Sequence, residues 1–584
     1  MQNRESGPYG PGAPVTLPIT AAPIAGSSQE FRPAVIWGLT AFAALAIGMY
    51  FWRTEGDLVN IIFTASVTLT LGALIVLISR RVLVAAVLTA AMVAIVVAAA
   101  SVKQHTMNMG LHAYDLVFYL SSWSTVTYLW DDYRRYMAAL VAALAATALA
   151  GWAATRIDGI RIRRHHAAAA IALFSAVAGI AAAAKGERRH TLFYFEDLYV
   201  SSFFSSWSET IETLWRGQLI ETANRGLGPK LTVPAACEGV AKPPHIILIH
   251  QESIVPPSYF PSLGYDRSLD PLFHSFDGKL HKLRVETYGG ASWLTEFALL
   301  TGLSTYSFGK KMRLYVQAMM AGKVRDTLPQ ALARCGYRNV VFYPMARNFV
   351  SNARFYDAVG LREMFDGKDQ GAKSVSEPDR FYYANALADM ERHFKTSRQP
   401  LFTFIMTMAA HGPYWYTYRP EIEVPGGGPG THRDMHEYLR RLGMARLDYA
   451  FLRAELIRRF PDQPILIVHY GDHQPMATRT LLGFPENAVV EDVWLSGDSP
   501  AFITYYAVDG VNYQPPPLPD LETVDIPYLG TILLEAAGLP LSDAYRERKR
   551  LMMLCNGRYY SCTKPDEILR FHRRLIDSGL MDAL

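Results

Sequence analysis

The chain has 584 residues, of which 50% are apolar and 19% charged, and a formal net charge of +4. That length exceeds one ordinary domain. So small a net charge over so long a chain gives no basis for nucleic-acid binding, and no nucleic-acid partner is expected.

The apolar residues are unevenly placed. Residues 1–33 are Pro- and Gly-rich and polar, and read as a disordered cytoplasmic tail. No basic region abuts a short apolar run there, so a cleaved signal peptide is not expected. Residues 34–184 then carry five apolar segments, Ala34–Trp52, Val59–Ser79, Val82–Ser101, Tyr136–Thr155 and Ala167–Ala184, none containing Asp, Glu, Lys or Arg. Each approaches the roughly 20 residues that span a bilayer. Five such runs in series would need an implausibly large core if they were soluble, so a five-helix transmembrane domain is predicted.

Lys/Arg placement orients it. With a cytoplasmic N-terminus, Arg4, Arg32, Arg80, Arg81, Arg156, Arg161, Arg163 and Arg164 lie inside, against Arg53, Lys103, Arg134 and Arg135 outside. An odd number of spans places everything after Ala184 outside the cytoplasm. All four cysteines (Cys237, Cys335, Cys555, Cys562) fall in that exterior part. In an oxidising compartment Cys555 and Cys562 would close a short loop, and Cys237 and Cys335 a long one; four free thiols is the alternative.

Residues 185–242 read as an amphipathic membrane-surface connector. Two aromatic stretches echo each other: one starts at Tyr114-Asp115-Leu116 and ends at Trp130, the other starts at Glu196-Asp197-Leu198 and ends at Trp215. Such segments suit the headgroup layer, or else aromatic packing between bundle and exterior domain.

From residue 243 to 584, short β-rich runs (245–250, 282–286, 339–343, 401–406, 464–469, 501–506) alternate with helical patterns (325–335, 380–395, 432–459, 524–537, 564–578). This predicts an α/β domain with a largely parallel central sheet. Ligands of such sheets gather at the carboxyl ends of strands. Glu252, His411 and Asp472-His473 all follow predicted strands within a few residues, which points to one site.

Asp472 and His473 end an apolar run and offer a carboxylate oxygen and an imidazole nitrogen. With Glu252 they make an O,O,N set suited to one divalent ion, zinc or manganese. Taken singly, each residue is equally a strand-end hydrogen-bonding group. Ser292 follows Gly289-Gly290, a pair that lets the backbone turn tightly, and precedes a helical run. A serine hydroxyl needs a base or a metal to act as a nucleophile; a helix N-terminus would also favour a bound anion. The alternatives are that Ser292 is only a helix cap, or that Thr295 is the nucleophile. His411, in a loop after a predicted strand, fits a general acid or phosphate donor, or else a structural loop histidine. Gly426-Gly427-Gly428 reads as a linker or a flap beside the site.

These motifs resemble those of the alkaline-phosphatase/sulfatase superfamily of membrane transferases: lipoteichoic acid synthases and phosphoglycerol and phosphoethanolamine transferases. Ile246-Ile247-Leu248-Ile249-His250-Gln251-Glu252-Ser253 is similar to the family's first strand with its metal-binding Glu. Gly290-Ala291-Ser292-Trp293-Leu294-Thr295-Glu296-Phe297 resembles the nucleophile motif, with Ser292 where the family usually has Thr. Tyr470-Gly471-Asp472-His473 resembles the closing metal motif, His411-Gly412-Pro413-Tyr414 the substrate-side histidine, and Asp525-Ile526-Pro527-Tyr528 an element near the end of the fold.

The resemblance implies Ser292 as both metal ligand and nucleophile and His411 as catalytic. Thr295, Arg347 and Arg354 are expected on the substrate side, the two arginines countering phosphate charge. It implies a phospholipid donor and an envelope glycan or lipid acceptor, with the catalytic domain on the outer side of a bacterial inner membrane. At Phe349-Val350-Ser351-Asn352 the Trp and Arg that read glycerol phosphate in lipoteichoic acid synthases are absent, so phosphoglycerol and phosphoethanolamine both stay open as the transferred headgroup. A sulfatase-superfamily phosphodiesterase is the alternative, and a non-catalytic envelope sensor a weaker one. The Pro and Arg of the sulfate-ester nucleophile motif are missing from Ser292-Trp293-Leu294-Thr295-Glu296.

Overall fold

A computed structural model of the chain describes residues 33–107, 110–119, 123–185, 200–226, 228–237, 242–309, 316–347, 349–484 and 499–584. The tail at 1–32 and parts of the connector (186–199 and 238–241) lie outside the described residues.

Five helices are long and apolar enough to cross a membrane. They are α1 (Pro33–Thr54), α2 (Leu58–Ser79), α3 (Val82–Met107), α5 (Arg134–Ile157) and α6 (Arg164–Lys185), with the short α4 (Trp123–Asp132) preceding α5. Large apolar side chains such as Phe42, Leu45, Ile78 and Leu144 project outward, as lipid-facing positions require. The pair α2 and α6 runs side by side. The buried positions of α2 include the small residues Thr64, Ser66, Thr68 and Ala73, which allow backbones to approach closely.

The loops between helices sort into two ends. At one, the Arg81 guanidinium donates to the carbonyl of Asp158 (2.7 Å), and Asp158 Oδ2 accepts from the Leu83 amide (2.7 Å). At the other, Glu55 between α1 and α2 accepts from the amides of Val200 and Ser201 (3.1 and 3.0 Å). Those amides open α7 (Ser201–Arg216), and a carboxylate there satisfies donors that the helix itself leaves free. The Ser206 hydroxyl accepts from the Ala113 amide at 2.8 Å. Thus α7 is docked on the bundle by its Ser/Phe face, while Ile211, Leu214 and Trp215 stay exposed.

The two aromatic stretches therefore differ. Trp215 and Trp123 are exposed, but Tyr114 is buried in the core of the α/β domain, where residues 115–119 pack on the short helix Val316–Met320.

The α/β domain is built on one eight-stranded sheet in the order β4-β3-β5-β1-β6-β7-β2-β8. The strands are β1 (His245–Gln251), β2 (His281–Arg284), β3 (Arg338–Phe342), β4 (Glu363–Phe365), β5 (Leu401–Met406), β6 (Ile465–Gly471), β7 (Ile503–Val511) and β8 (Thr523–Asp525). Every pairing is parallel except those of β7. The central strands β1, β5 and β6 are buried at every position, as a sheet covered on both faces requires. One apolar cluster fills each side.

The largely parallel sheet agrees with expectation. The run 524–537, read as one helix, is instead β8, a tight turn through Pro527 and the helix Leu529–Ala536; the proline lacks the amide needed to carry a helix through. Strand β4 and the helix Asp543–Leu554 were not anticipated. Cys237–Cys335 and Cys555–Cys562 are both bonded. The first ties the connector to the domain, beside the Leu219 amide bonded to the Ala583 carbonyl (2.7 Å).

Gly471, the last residue of β6, sits where a Cβ would lie 1.9 Å from the carbonyl oxygen of Ile254. A backbone atom cannot yield as a side chain can. Gly471→Ala is expected to cost on the order of 3 kcal/mol, read as a lowered melting temperature and lost divalent-metal binding. An unchanged melting temperature would mean the β1 and β6 ends are not so closely apposed.

Candidate metal and nucleophile site

Parallel strands β1 and β6 are neighbours in register, from His245 opposite Ile465 to Gln251 opposite Gly471. Their C-terminal ends therefore deliver Glu252 and Asp472-His473 to the same point. Residue 253 turns back with a left-handed backbone (φ +58°). Its amide donates to Asp472 Oδ1 at 2.7 Å and its hydroxyl to Glu252 Oε1 at 2.9 Å.

The third component arrives on α8 (Ser292–Thr301). Gly289, Gly290 and Ala291 all have positive φ (+74°, +153° and +63°). For Ala291 that conformation is strained, a feature that concentrates at functional sites. The turn leaves Ser292 as the first helical residue, with no side-chain cap before it. Its hydroxyl donates to Glu252 Oε2 at 2.9 Å. Thr295, one turn on, is fully buried and donates to the carbonyl of Asp472 at 2.9 Å. Of the two hydroxyls, Ser292 borders the cavity and Thr295 braces the strand end from behind.

That cavity has a volume of about 990 Å³ and is walled by Glu252, Ser292, His411 and His473 among others. His411 is exposed on its loop, with Nδ1 2.6 Å from the carbonyl of Gly412. Phe349, Val350 and Asn352 also line it, so the stretch that lacks Trp and Arg does face this space. Arg347 and Arg354 are not among the lining residues. The Arg347 guanidinium is held by Asp369 Oδ2 (2.9 Å) and the Met364 carbonyl (2.8 Å). The arginine that lines the wall is Arg479, seven residues past Asp472.

Two further residues were not singled out from the sequence. His250 lies two positions before Glu252, hence on the same side of the strand end. Its Nε2 is 3.0 Å from Asp472 Oδ2, and its Nδ1 2.8 Å from the Tyr470 hydroxyl. Glu296 borders the cavity one turn past Ser292 and accepts from the Tyr356 hydroxyl at 2.5 Å. Period-two spacing could have exposed the first; no local signal exposes the second.

The electrostatics are those of a cation site. Burial opposes the charge on Glu252, but His473, then His411 and His250, hold its carboxyl well below the usual range. Burial likewise opposes a proton on His473, yet the Asp472 and Glu252 carboxylates raise it to about 9. His250 is raised in the same way, chiefly by Asp472 against burial. Burial raises Glu296, against the pull of His250.

The donor geometry discriminates further. Nε2 of His473 lies 3.2 Å from Glu252 Oε1 and 3.4 Å from Asp472 Oδ2. These contacts, like that of His250 Nε2 with Asp472 Oδ2, are ion pairs without good hydrogen-bond alignment, so Nε2 of His250, Nε2 of His473 and Oδ2 of Asp472 are buried without a well-formed hydrogen bond. Buried polar atoms are ordinarily satisfied. Atoms of His250, Glu252 and Asp472 within 4.8 Å of one another could hold a metal ion. Convergent, buried nitrogen and oxygen atoms fit a divalent ion of the zinc or manganese type.

Were His473 a ligand, the ion would have to displace its proton. With that pKa raised from 6.5 to about 9, the proton stabilises the metal-free fold fully below about pH 6.5 and is lost as pH rises through about 9. Apparent zinc affinity should therefore rise by up to about tenfold per pH unit between pH 6 and 8, with up to about one proton released. Calorimetry in buffers of different ionisation enthalpy measures both. A pH-independent affinity would contradict this assignment.

Comparison with known proteins supplies the remaining information. The sulfatase family model matches residues 244–493. An uncharacterized protein of Haemophilus influenzae is 24% identical over 322 residues, 53% of this chain and 54% of that protein. The chain thus matches only about half the length of that relative. Among solved structures, the phosphoglycerol transferase GacH of Streptococcus pyogenes, in complex with sn-glycerol-1-phosphate, is 16% identical (60% of this chain, 88% of that one, TM-score 0.46). The lipoteichoic acid synthase LtaP of Listeria monocytogenes is 16% identical (51% and 73%, TM-score 0.39). The C-terminal periplasmic domain of EptC from Escherichia coli, in complex with Zn, is 15% identical (55% and 88%, TM-score 0.37).

Proposed function

We propose that this chain, whose residues 244–493 match the sulfatase family model, is a membrane-embedded, metal-dependent phosphotransferase. It moves a phospho-headgroup, phosphoglycerol or phosphoethanolamine, from a phospholipid to an envelope glycan or lipid through a covalent ester on Ser292. The observation that carries this is the Ser292 hydroxyl, cavity-facing at a helix N-terminus and 2.9 Å from Glu252 in a cluster of convergent, buried metal-type donors.

Glu252, Asp472, His473 and Ser292 would hold one zinc or manganese ion, with His250 beside them. Bound there, the ion supplies positive charge that lowers the hydroxyl pKa and offsets the phosphate. The chain's own groups do the rest. The N-terminus of α8 turns the positive end of the helix dipole toward an anion at Ser292. Ser292 Oγ, its proton released to solvent beforehand, attacks phosphorus, and the bond to the diacylglycerol oxygen breaks. His411 protonates the departing oxygen; in the second half it accepts the proton of the incoming hydroxyl, which displaces Ser292. Arg479 lines the same wall and counters charge on the phosphoryl oxygens. Thr295 keeps the Asp472 backbone in place.

The proposed organisation is a cytoplasmic tail at 1–33, the bundle at 34–184, the connector at 185–242 and the catalytic domain at 243–584, outside the inner membrane. The bundle holds α7 through Glu55, and residues 115–119 pack on the helix Val316–Met320, which packs on α8. The nucleophile is thereby tied to the membrane that would supply its donor.

Intact mass after incubation with phosphatidylglycerol or phosphatidylethanolamine and Mn²⁺ or Zn²⁺ tests the reading. The expected result is a gain of one phospho-headgroup, absent in Ser292→Ala and kept in Thr295→Val. Turnover of Ser292→Ala should fall by roughly 10³-fold or more. Metal-dependent cleavage of a phosphodiester without any adduct would favour the hydrolase. An adduct persisting in Ser292→Ala would remove Ser292 from its role.

A further inference from the structure

Trp415 is 64% exposed, more than any other large apolar residue described after residue 243. Exposed aromatic surface of this kind marks interaction sites. Trp415 does not sit on a loose loop. It lines the cavity that contains Ser292 and His411, and the segment carrying it is fastened from beneath.

The fastening comes from Arg433, Glu437 and Arg441 in the N-terminal turns of the helix Arg433–Arg459. Arg441, fully buried, donates through Nη2 to the carbonyl of Pro413 at 2.9 Å and through Nη1 to the carbonyl of His411. Its guanidinium lies 5.1 Å from the ring centres of Tyr414, Tyr416 and Tyr418. Glu437 Oε1 accepts from Arg441 Nε (2.9 Å) and from the Tyr418 amide (2.8 Å). The Arg433 guanidinium donates to the carbonyl of Trp415 itself. Bonds to residues 411, 413, 415 and 418 make the segment an arch with His411 at its foot and Trp415 toward its crown.

His432 and Asp434 line the same cavity. This combination discriminates between occupants. An acyl chain laid against Trp415 would strip water from the Asp434 carboxylate and His432 imidazole and return no hydrogen bond, which is costly. A sugar ring offers a face of C–H groups to the indole and hydroxyls to both polar side chains. A rigid aromatic also binds at low entropic cost.

We infer that Trp415, Asp434 and His432 form an acceptor subsite for a sugar ring, so that the group receiving the phospho-headgroup is a glycan hydroxyl. This rests on the transferase reading above and narrows its acceptor to a glycan.

The test is calorimetric titration of the full-length, metal-loaded protein in detergent with neutral hexose and N-acetylhexosamine oligosaccharides, and separately with a short-chain phospholipid. Trp415→Ala, Trp415→Phe and Asp434→Asn are compared with the parent chain, and melting temperature checks that each is folded. Saturable oligosaccharide binding, weakened about tenfold or more by Trp415→Ala and Asp434→Asn and largely restored by Trp415→Phe, is expected. No saturable binding across the panel, or an affinity indifferent to Trp415→Ala, would overturn the subsite. Weakened phospholipid binding with oligosaccharide affinity intact would assign the lobe to the donor instead. Oligosaccharide binding by a protein that forms no phospho-headgroup adduct would refute the transferase reading while leaving the sugar subsite standing.

Discussion

Two carboxylates and two imidazoles, buried within hydrogen-bonding distance of one another, set the terms for the α/β domain. Removing even one such charge from water costs several kcal/mol, and Glu252, Asp472, His250 and His473 are all almost wholly buried. In the metal-free protein the imidazoles meet that cost by keeping protons, which is why His473 is raised to about 9. A divalent cation meets it better, because oxygen and nitrogen atoms of His250, Glu252 and Asp472 converge within 4.8 Å of one another and can share one positive charge. Placing the donors on adjacent parallel strands makes the cluster independent of loop flexibility: the register of β1 with β6 fixes Glu252 against Asp472.

The remaining parts of the site are arranged around that cluster by strained or buried backbone devices. The left-handed turn at Ala291 swings α8 so that Ser292 meets Glu252, while Thr295 is spent on the Asp472 carbonyl. The Gly471 backbone passes so close to Ile254 that no side chain fits. Arg441 holds the arch that carries His411, and a buried guanidinium with two carbonyl partners and a carboxylate is well suited to that task. Each device serves position, and each trades stability for it.

Much of this was legible because it is periodic or local. Uninterrupted apolar runs marked the five spans, and short β-rich runs located β1, β3, β5 and β6 within a residue or two. Strand ends then located Glu252, His411 and Asp472-His473. What escaped depends on distance along the chain or on direction. Nothing near residue 441 says that its guanidinium will bind carbonyls some thirty residues earlier. Ser292 and Thr295 both stand in the first turn of a helix, and only the fold shows which faces the cavity. Arg347 and Arg354 flank the right stretch, but neither is among the residues lining the cavity, whereas Arg479 is. The helix read over 524–537 failed because a proline at 527 outweighed the apolar pattern around it.

The central claim is that one divalent ion unites these strand ends with the serine. Anomalous diffraction from crystals grown with Zn²⁺ or Mn²⁺ measures this directly. The predicted result is a single strong peak about 2.0–2.2 Å from atoms of Glu252, Asp472, His473 and Ser292, abolished by Asp472→Asn. A catalytically active crystal form whose ion lies elsewhere, or which holds none between β1 and β6, would contradict the account.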